Sequence, residues 1–418
     1  MNTTGELVHN RRVTMETLSV VAECLERHPD LFRTLAQRYF LDDCPEARFL
    51  FPTDDSTAHA DLAAALIFVF NHSNADGSLT PKLVSILEQL GRDHRKFQVA
   101  DNHYERFGNA LNRALKIVGA HAPTYAITAA EKAITATLET MRRAAKEEDD
   151  TGLPATWTGE VIETQRRSRY ISVVRLVSET PPPFAPGQYL PVTCSLMSRQ
   201  WRYLSPALPP NKEGHLEFHI KTTDTDSNSR ILANSRPGDI WTFGAPLGKM
   251  HISGTRDVLA IAHTTGLASI RSLLLDAATL SDPPRTHLFF GADYPGELYE
   301  LLGLWNFAAS APWLSVTPVT TYTENEWWVG ATEHSVAPRG LHLPQYGSLS
   351  SIVSSYGSWE DRDVLIAGPN EVVRDVVNTL LASGTPASHI QHDQRVRSPL
   401  HSLRQLHIRI LTIHILDV

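Results

Sequence analysis

Two short stretches of this 418-residue chain combine residue types that could do chemistry. In the first, Leu83, Leu87, Leu90 and His94 follow one another at steps of four, three and four, so all four share one face of a predicted helix. An imidazole in that position is either a histidine satisfied within the core or a metal ligand whose second nitrogen donates a hydrogen bond.

The second stretch is residues 183–207, PFAPGQYLPVTCSLMSRQWRYLSPA. Pro186 and Gly187 predict a turn before a strand, and Arg202 and Ser205 then lie on opposite sides of a short extended segment. A fixed cation beside a hydroxyl suits a diphosphate, and the neighbouring Tyr203 suits a stacked ring. The alternative is an ordinary β-barrel with a surface arginine.

Composition excludes several classes of protein. The chain has 38 Lys and Arg against 46 Asp and Glu, a net charge of −8 without long runs of one sign, which argues against nucleic acid and anionic membrane surfaces as partners. No apolar run approaches the roughly 20 residues that span a bilayer. Because Cys24, Cys44 and Cys194 lie far apart, we expect reduced thiols in a cytoplasmic protein, without a cysteine-ligated cluster or zinc site.

The elements that must position these residues change in character along the chain. Apolar residues recur at helical steps over residues 13–150, and proline stands only at plausible helix edges, so this part is predicted to be all helix. The charged and then Gly- and Pro-bearing segment RRAAKEEDDTGLPATW predicts a helix end and a linker.

After the linker, short alternating segments such as RYISVVRLV and HLEFHIKT predict an antiparallel barrel. From Asp257 onward, apolar runs followed by helical stretches predict a parallel sheet covered on both faces, with a loop around 331–350. The fold class is thus a multidomain α + β + α/β chain: an all-α domain (1–150), a β-barrel (153–253), an α/β domain (254–395) and an atypical tail (396–418), either an edge strand or a poorly ordered segment.

The helical part resembles a globin. LFRTLAQRYFLDDCPEARFLFP is similar to a globin's first half, with Phe51 at the place of a ring-packing phenylalanine, and GRDHRKFQV lies where globins have the proximal histidine. Tyr104 follows at the spacing of bacterial flavohaemoglobins. The resemblance implies that His94 ligates haem b iron, that Tyr104 tunes it, and that Phe51 and Leu62 contact the haem.

Two family positions differ on the haem side. The distal tyrosine is expected near Ala36 or Gln37, and the distal helix position falls near Ala58 or His59. The proximal glutamate is expected near Ala144 or Ala145, whereas Glu139 and Glu147 are out of register.

The barrel resembles the flavin-binding barrel of ferredoxin–NADP reductases, whose Arg-x-Tyr-Ser motif follows a Gly-Gln-Tyr strand. In this chain Leu204 replaces the motif's tyrosine, which removes a stacking surface. The resemblance implies FAD bound by seven residues, the last two of which would open a helix toward an anion: Tyr189, Arg202, Tyr203, Leu204, Ser205, Asn228 and Ser229.

The segment AIAHTTGLASIRSL lies where the family has Ala-Gly-Gly-Thr-Gly-Leu-Ala-Pro, and His263 and Thr264 replace two glycines that permit close approach to a pyrophosphate. AGPNEVV matches the family's Cys-Gly-Pro turn with Ala367 in place of cysteine. The implied NAD(P)H-binding residues are Thr264, Thr265, Gly266, Leu267, Ala268, Ser269, Gly368 and Pro369.

The order of these three parts is similar to that of a flavohaemoglobin of divergent actinobacterial-like type. It implies an enzyme that passes electrons from NAD(P)H through FAD to haem and converts NO and O2 to nitrate, as a cytoplasmic monomer or homodimer without nucleic-acid partners or stable membrane insertion. Two alternatives stay open: a haem–flavin oxidoreductase with another electron donor, and a non-catalytic haem or flavin sensor with weakened nicotinamide binding.

Overall fold

The computed structural model of the protein describes residues 17–50, 62–197, 200–223, 226–336 and 344–392. Phe51, Ala58, His59 and the tail 396–418 lie outside these ranges. The chain divides into two compact units, with the boundary between Ala155 and Thr156. The first is called the helical unit below, and the second the sheet unit.

In the described part of the helical unit, the regular elements are helices, as predicted. Its helices are α1 (Thr17–Arg27), α2 (Pro29–Asp43), α3 (Leu62–His72), α4 (Pro81–His94), α5 (Asp101–Val118) and α6 (Thr124–Asp149), with short 3-10 turns at Pro45–Leu50 and Arg95–Phe97. Pro29 and Pro81 each occupy a first helical position, where the missing N–H is not needed. The predicted proline edges are thus confirmed at these two helices.

Close contact between α4 and α6 fixes the helix that carries His94. A side-chain β-carbon at Gly91 would lie 2.3 Å from the Met141 carbonyl oxygen, so the two backbones touch there. Leu83 and Leu87 on α4 are buried in the same apolar core as Ile134 and Met141 on α6. The predicted apolar stripe of α4 therefore faces the core.

The first half of the sheet unit is an antiparallel sheet with the order β4-β3-β6-β1-β2-β5. Its elements are β1 (Trp157–Arg166), β2 (Ile171–Val177), β3 (Leu190–Cys194), β4 (Arg202–Leu204), β5 (His215–Lys221), α7 (Ser227–Ala233) and β6 (Ile240–Phe243). A bridge between Pro206 and Phe218 brings the chain after β4 to β5 and nearly closes the barrel.

The second half is a parallel sheet with the order β10-β9-β8-β7-β11-β12. Its elements are β7 (Val258–His263), α8 (Leu267–Ala277), β8 (Thr286–Ala292), α9 (Leu301–Ser310), β9 (Leu314–Thr320), β10 (Gln345–Tyr346), α10 (Leu349–Ser355), β11 (Asp363–Ala367), α11 (Asn370–Ala382) and β12 (Ile390–His392).

The prediction of a loop over 331–350 was wrong at its end, because β10 pairs with β9 and α10 begins at Leu349. Strand order reverses between β7 and β11, and the carboxyl ends of these two neighbours meet there. In open α/β sheets, ligands bind in the crevice at such a reversal point.

Candidate functional site

His94 is the last residue of α4, and its ring is held from one side. Nδ1 lies 2.8 Å from the Leu90 carbonyl oxygen one turn earlier, so Nδ1 carries the proton and Nε2 keeps its lone pair. Burial lowers the pKa of His94, which the neighbouring Asp93 carboxylate partly opposes. The ring is therefore a neutral imidazole with one oriented nitrogen, the form in which histidine ligates metals.

Two charged pairs hold the chain that follows His94. The buried Lys96 ammonium lies 2.5 Å from the buried Asp93 carboxylate. Arg95 donates from Nε to Asp149 on α6 at 2.7 Å and to the Leu153 carbonyl oxygen. Because the Asp93–Lys96 pair is buried, removing one member would leave an uncompensated charge. The bonds of Arg95 fix the end of α4 against α6.

Two further residues predicted for the haem side lie in the core of the helical unit. Tyr104 on α5 is 6% exposed and Leu62 at the start of α3 is 8% exposed. Burial raises the pKa of Tyr104 to about 12, with a smaller contribution from the Asp149 and Asp101 carboxylates, so the phenol stays protonated. Glu139 pairs with Arg142, and Glu147 pairs with Arg143.

In the barrel, the predicted phosphate ligand Arg202 forms an ion pair with Asp226, which the sequence prediction missed. Asp226, and not Asn228 or Ser229, is the N-cap of α7: its carboxylate accepts from the Ser229 N–H at 3.1 Å and from the Ser229 hydroxyl at 2.7 Å. Burial raises the pKa of Asp226, but the bonds from Arg202 and Ser229 outweigh it, and the net shift is downward.

The other predicted flavin residues are divided between this end of the barrel and its core. The Tyr189 and Tyr203 rings meet edge to face at 5.9 Å, while Asn228 donates to the Gln200 side chain. Ser205 is buried. Leu204 packs into the barrel core, which places it away from a stacking role.

At the reversal point of the parallel sheet, the two predicted nucleotide turns lie against each other. A β-carbon at Gly266 would lie 2.2 Å from the Ala367 carbonyl oxygen, so a glycine is needed there. Thr264 adopts φ +48°, a left-handed conformation that favours the glycine it replaces. Ser269 donates to the Gly266 carbonyl oxygen at 3.1 Å inside the first turn of α8.

The remaining residues of these two turns lie at the same edge of the parallel sheet, where β7 and β11 end. Thr264 and Thr265 are buried in a 3-10 turn that leads into α8, where Leu267 and Ala268 are buried as well. Gly368 and Pro369 connect β11 to α11. The structure therefore brings the two predicted nucleotide motifs together.

His263 stands between these two turns. A β-carbon at Gly368 would lie 3.0 Å from the His263 β-carbon, and Nε2 lies 3.8 Å from the Asp293 carboxylate. Within the described residues, the buried Nδ1 has no hydrogen-bond partner. Burial lowers the pKa of His263 to about 4, more than the carboxylates of Asp293 and Glu371 raise it, so the ring is neutral at pH 7.

A buried polar network joins the barrel to the parallel sheet, and no sequence motif had indicated it. His219 on β5 contacts the Tyr299 hydroxyl through Nδ1 at 2.7 Å and Glu217 through Nε2 at 3.1 Å. Arg271 on α8 reaches Glu217 at 3.1 Å and donates to the Ala207 carbonyl oxygen at 2.8 Å. This network ties β5 of the barrel to α8 and to the turn before α9.

The sequence of the barrel matches a known family. Residues 159–252 match the family of oxidoreductase FAD-binding domains. This part of the chain is therefore an FAD-binding domain, and together with the parallel α/β sheet it has a ferredoxin reductase-like fold.

Curated relatives agree with this class. Ferredoxin–NAD(P)(+) reductase CarAd of Metapseudomonas resinovorans is 27% identical over 56% of this chain and 67% of its own length. The anthranilate 1,2-dioxygenase electron transfer component of Acinetobacter baylyi is 27% identical over 40% of this chain and 52% of its own. For several such relatives, the match spans about half of their length or less.

Among solved structures, a flavohemoglobin from Malassezia yamatoensis with bound FAD and heme superimposes with a TM-score of 0.65. It is 13% identical and covers 90% of this chain and 99% of its own. At that identity the similarity concerns the fold, and because it covers 90% of the chain it extends beyond the sheet unit.

Across the described residues, we find no helix that combines the length and the apolar character needed to cross a membrane.

Proposed function

We propose that the protein is a flavohaemoprotein oxidoreductase that passes electrons from NAD(P)H through FAD to haem b, and that its reaction is the dioxygenation of nitric oxide to nitrate. The observation that carries this proposal is His94: a neutral ring, anchored through Nδ1 to Leu90, at the end of a buried apolar stripe. The flavohemoglobin similarity over 90% of the chain supports a haem domain in the helical unit.

The donor set of the helical unit fits a haem. His94 Nε2 would hold the iron, and the hydrogen bond from Nδ1 to the Leu90 carbonyl orients the ring and raises its basicity. Haem, when bound, supplies an iron that binds a diatomic gas such as O2 or NO. Tyr104, held protonated by its burial, would donate a hydrogen bond on the proximal side.

The barrel fits FAD at Arg202. Among the described residues, no acceptor lies within hydrogen-bonding distance of its buried Nε, while Asp226 engages the other end of the guanidinium. A phosphate oxygen would satisfy Nε, and Tyr189 and Tyr203 would border the isoalloxazine or adenine ring. FAD, when bound, accepts a hydride and releases single electrons.

The two turns at the carboxyl ends of β7 and β11 have a backbone that fits NAD(P)H, but the His263 side chain narrows the space between them. A pyrophosphate would lie at the start of α8, where a helix N-terminus favours an anion, and Gly266 keeps the close packing on β11. The imidazole occupies part of the space that a glycine would leave open. We infer a working but weak nicotinamide site, in a cytoplasmic monomer or homodimer.

The proposal is tested by expressing the full chain with ample haem precursor and measuring bound haem and flavin, then NADH- and NADPH-dependent NO consumption under air. We expect both cofactors at one per chain and NO consumption that needs O2. Protein that binds FAD but never haem would overturn the haem assignment. Bound haem without NO consumption would overturn the reaction.

A second candidate function is the delivery of electrons to a separate oxygenase. The curated relatives favour it, since CarAd is named as a ferredoxin reductase and two others are named as the electron transfer component of anthranilate 1,2-dioxygenase and the reductase component of phenol 2-monooxygenase. In that case the flavin would be reduced by NADH in the absence of haem and would then reduce an added ferredoxin. Fast reduction of a ferredoxin by haem-free protein would favour this candidate over the first.

A further inference from the structure

A cysteine, a glutamate and a histidine without an assigned role meet in the helical unit. Cys44 lies just after α2, Glu46 lies in the 3-10 turn that follows, and His103 lies in the first turn of α5. Within the part of the chain that the structure describes, the Cys44 sulfur, a Glu46 carboxylate oxygen and a His103 ring nitrogen all lie within 4.8 Å of one another. The wide spacing of the cysteines predicts no zinc site, but folding brings a distant histidine beside Cys44.

The turn after α2 directs the Cys44 sulfur to Glu46. The Ala47 N–H donates to the Cys44 carbonyl oxygen at 3.0 Å and closes the turn. The Cys44 thiol then donates to Glu46 Oε1 at 3.1 Å. The sulfur and the carboxylate are therefore neighbours because of the local backbone, and an ion between them would replace the thiol proton.

The His103 ring is placed by aromatic packing and by one hydrogen bond. The Phe40 ring meets it edge to face at 6.3 Å, and the Phe49 ring lies 6.4 Å away. The Ala100 N–H donates to His103 Nδ1 at 3.1 Å. In a metal complex one ring nitrogen binds the ion and the other keeps a proton, so Nδ1 would be metal-bound or protonated. Binding therefore breaks the Ala100 bond, and because Ala100 is exposed, water can accept this N–H.

Two of the three groups are buried, and the third opens to solvent. Cys44 is 0% exposed and His103 is 5% exposed, whereas Glu46 is exposed. Cys44 belongs to a small apolar cluster with Phe40 and Ala47. Apolar surroundings strengthen the attraction between an ion and its anionic ligands, and the exposed carboxylate leaves a path for the ion and room for a water ligand.

One cation already borders the three groups. Arg106 Nη1 lies 3.7 Å from Glu46 Oε1 and donates to the Asp43 carbonyl oxygen at 2.6 Å. The Arg106 side chain is 42% exposed, and a long ion pair in contact with water contributes little. A metal ion would therefore take the Glu46 oxygen, while Arg106 keeps its bond to Asp43.

We propose that Cys44, Glu46 and His103 form a metal site for Zn²⁺ or a similar borderline divalent ion, with water as the fourth ligand. Thiolate, imidazole and carboxylate are the three donor types that zinc takes in proteins, whereas Mg²⁺ and Ca²⁺ prefer oxygen alone. The ion replaces the Cys44 thiol proton, which passes to solvent. The bound ion ties the end of α2 to the start of α5, and the proposed electron path does not depend on it.

The test is isothermal titration of the full-length, cofactor-loaded protein with zinc chloride, after dialysis against a chelator and then against chelator-free buffer. We expect one zinc ion per chain. X-ray absorption at the zinc edge should show one sulfur at about 2.3 Å and two or three nitrogen or oxygen neighbours at about 2.0–2.2 Å.

Cys44→Ser and Glu46→Gln should each weaken zinc binding by at least about tenfold, because each removes a ligand. Arg106→Gln removes the competing cation and should tighten zinc binding by about threefold. Glu46 is exposed, so Glu46→Gln keeps the site testable if Cys44→Ser does not fold.

The matched control is Cys24→Ser, which replaces a partly buried cysteine of α1 and leaves the three ligands in place. It should bind zinc as wild type does. Wild-type protein that binds no zinc, a folded Glu46→Gln variant with unchanged affinity, or a zinc shell without sulfur would overturn the inference. None of these outcomes bears on haem, flavin or nicotinamide binding.

Discussion

His94 in the helical unit and Arg202 in the sheet unit are both predicted cofactor ligands, but they obtain their partners differently. His94 bonds to Leu90 on its own helix, and its second nitrogen stays available. Arg202 pairs with Asp226 at the start of α7, so a phosphate bound at its Nε would share the guanidinium with a carboxylate. The difference teaches that a hydrogen bond within one helix orients the histidine and leaves its second nitrogen open. A carboxylate from another element, in contrast, shares the charge of the arginine with any bound phosphate.

The largest effect is expected from His94→Ala, which should abolish haem binding, because the helical unit would lose the imidazole that holds the iron. His72→Ala is a matched control: His72 Nδ1 also lies 2.8 Å from a carbonyl oxygen four residues earlier, that of Phe68. Haem content measured by absorbance should be lost in the first variant and kept in the second. If the His94→Ala variant retained haem, the assignment of His94 as the iron ligand would be wrong.

Arg202→Ala should weaken FAD binding by about 100-fold, since a charge-assisted bond to phosphate contributes about 1.5–3 kcal/mol. Asp226→Asn keeps a side chain that can cap α7 but removes the competing charge, so it should strengthen FAD binding. Flavin fluorescence titration measures both. Arg256→Ala, which breaks an ion pair with Asp363 in the parallel sheet, serves as control. Weaker FAD binding by Asp226→Asn would show that Asp226 supports the site.

A pH effect is expected at His263, whose pKa is lowered to about 4 by burial. Between about pH 6.5 and pH 4 the unfolded chain binds a proton that the folded chain does not, so the free energy of unfolding falls as pH falls through this window. The loss is about 2 kcal/mol by pH 5. Urea unfolding at pH 7 and pH 5 should show this loss in wild type and a smaller loss in His263→Asn. An equal loss of unfolding free energy in wild type and in His263→Asn would contradict the lowered pKa of His263.

The smallest effect is expected from His263→Gly on nucleotide binding. Restoring a glycine beside Gly368 should widen the gap between the two turns and raise NAD⁺ affinity by about tenfold. His263→Asn keeps a side chain in the gap and should gain little. If His263→Gly loses affinity, Nδ1 is itself a nucleotide contact, and the structural reason for a weak site disappears.

Sequence patterns predicted the elements of the molecule better than the partners of its functional groups. Helical spacing placed His94 on the core face of α4, and alternation predicted β2 and β5, because both periods follow directly from side-chain geometry. The two-residue strand β10 carries too few residues for any period to be visible.

The partners that decide the sites come from distant parts of the chain. Asp226 was overlooked in favour of Asn228 and Ser229, although an aspartate before a helix is a good N-cap, and its pairing with Arg202 depends on tertiary packing. The His219–Tyr299 bond joins β5 of the barrel to the turn before α9, so no local pattern could reveal it. Within the described residues, His263 Nδ1 has no hydrogen-bond partner because the ring is buried between two turns, which again depends on tertiary packing.

The most direct test of the account is anaerobic mixing of the purified full chain with excess NADH, followed by absorbance of the flavin and of the haem Soret band. We predict that the flavin is reduced first and that the Soret band then shifts to the ferrous form, while His94→Ala shows flavin reduction alone. Flavin that is reduced in wild type while bound haem stays ferric would contradict electron transfer from FAD to haem.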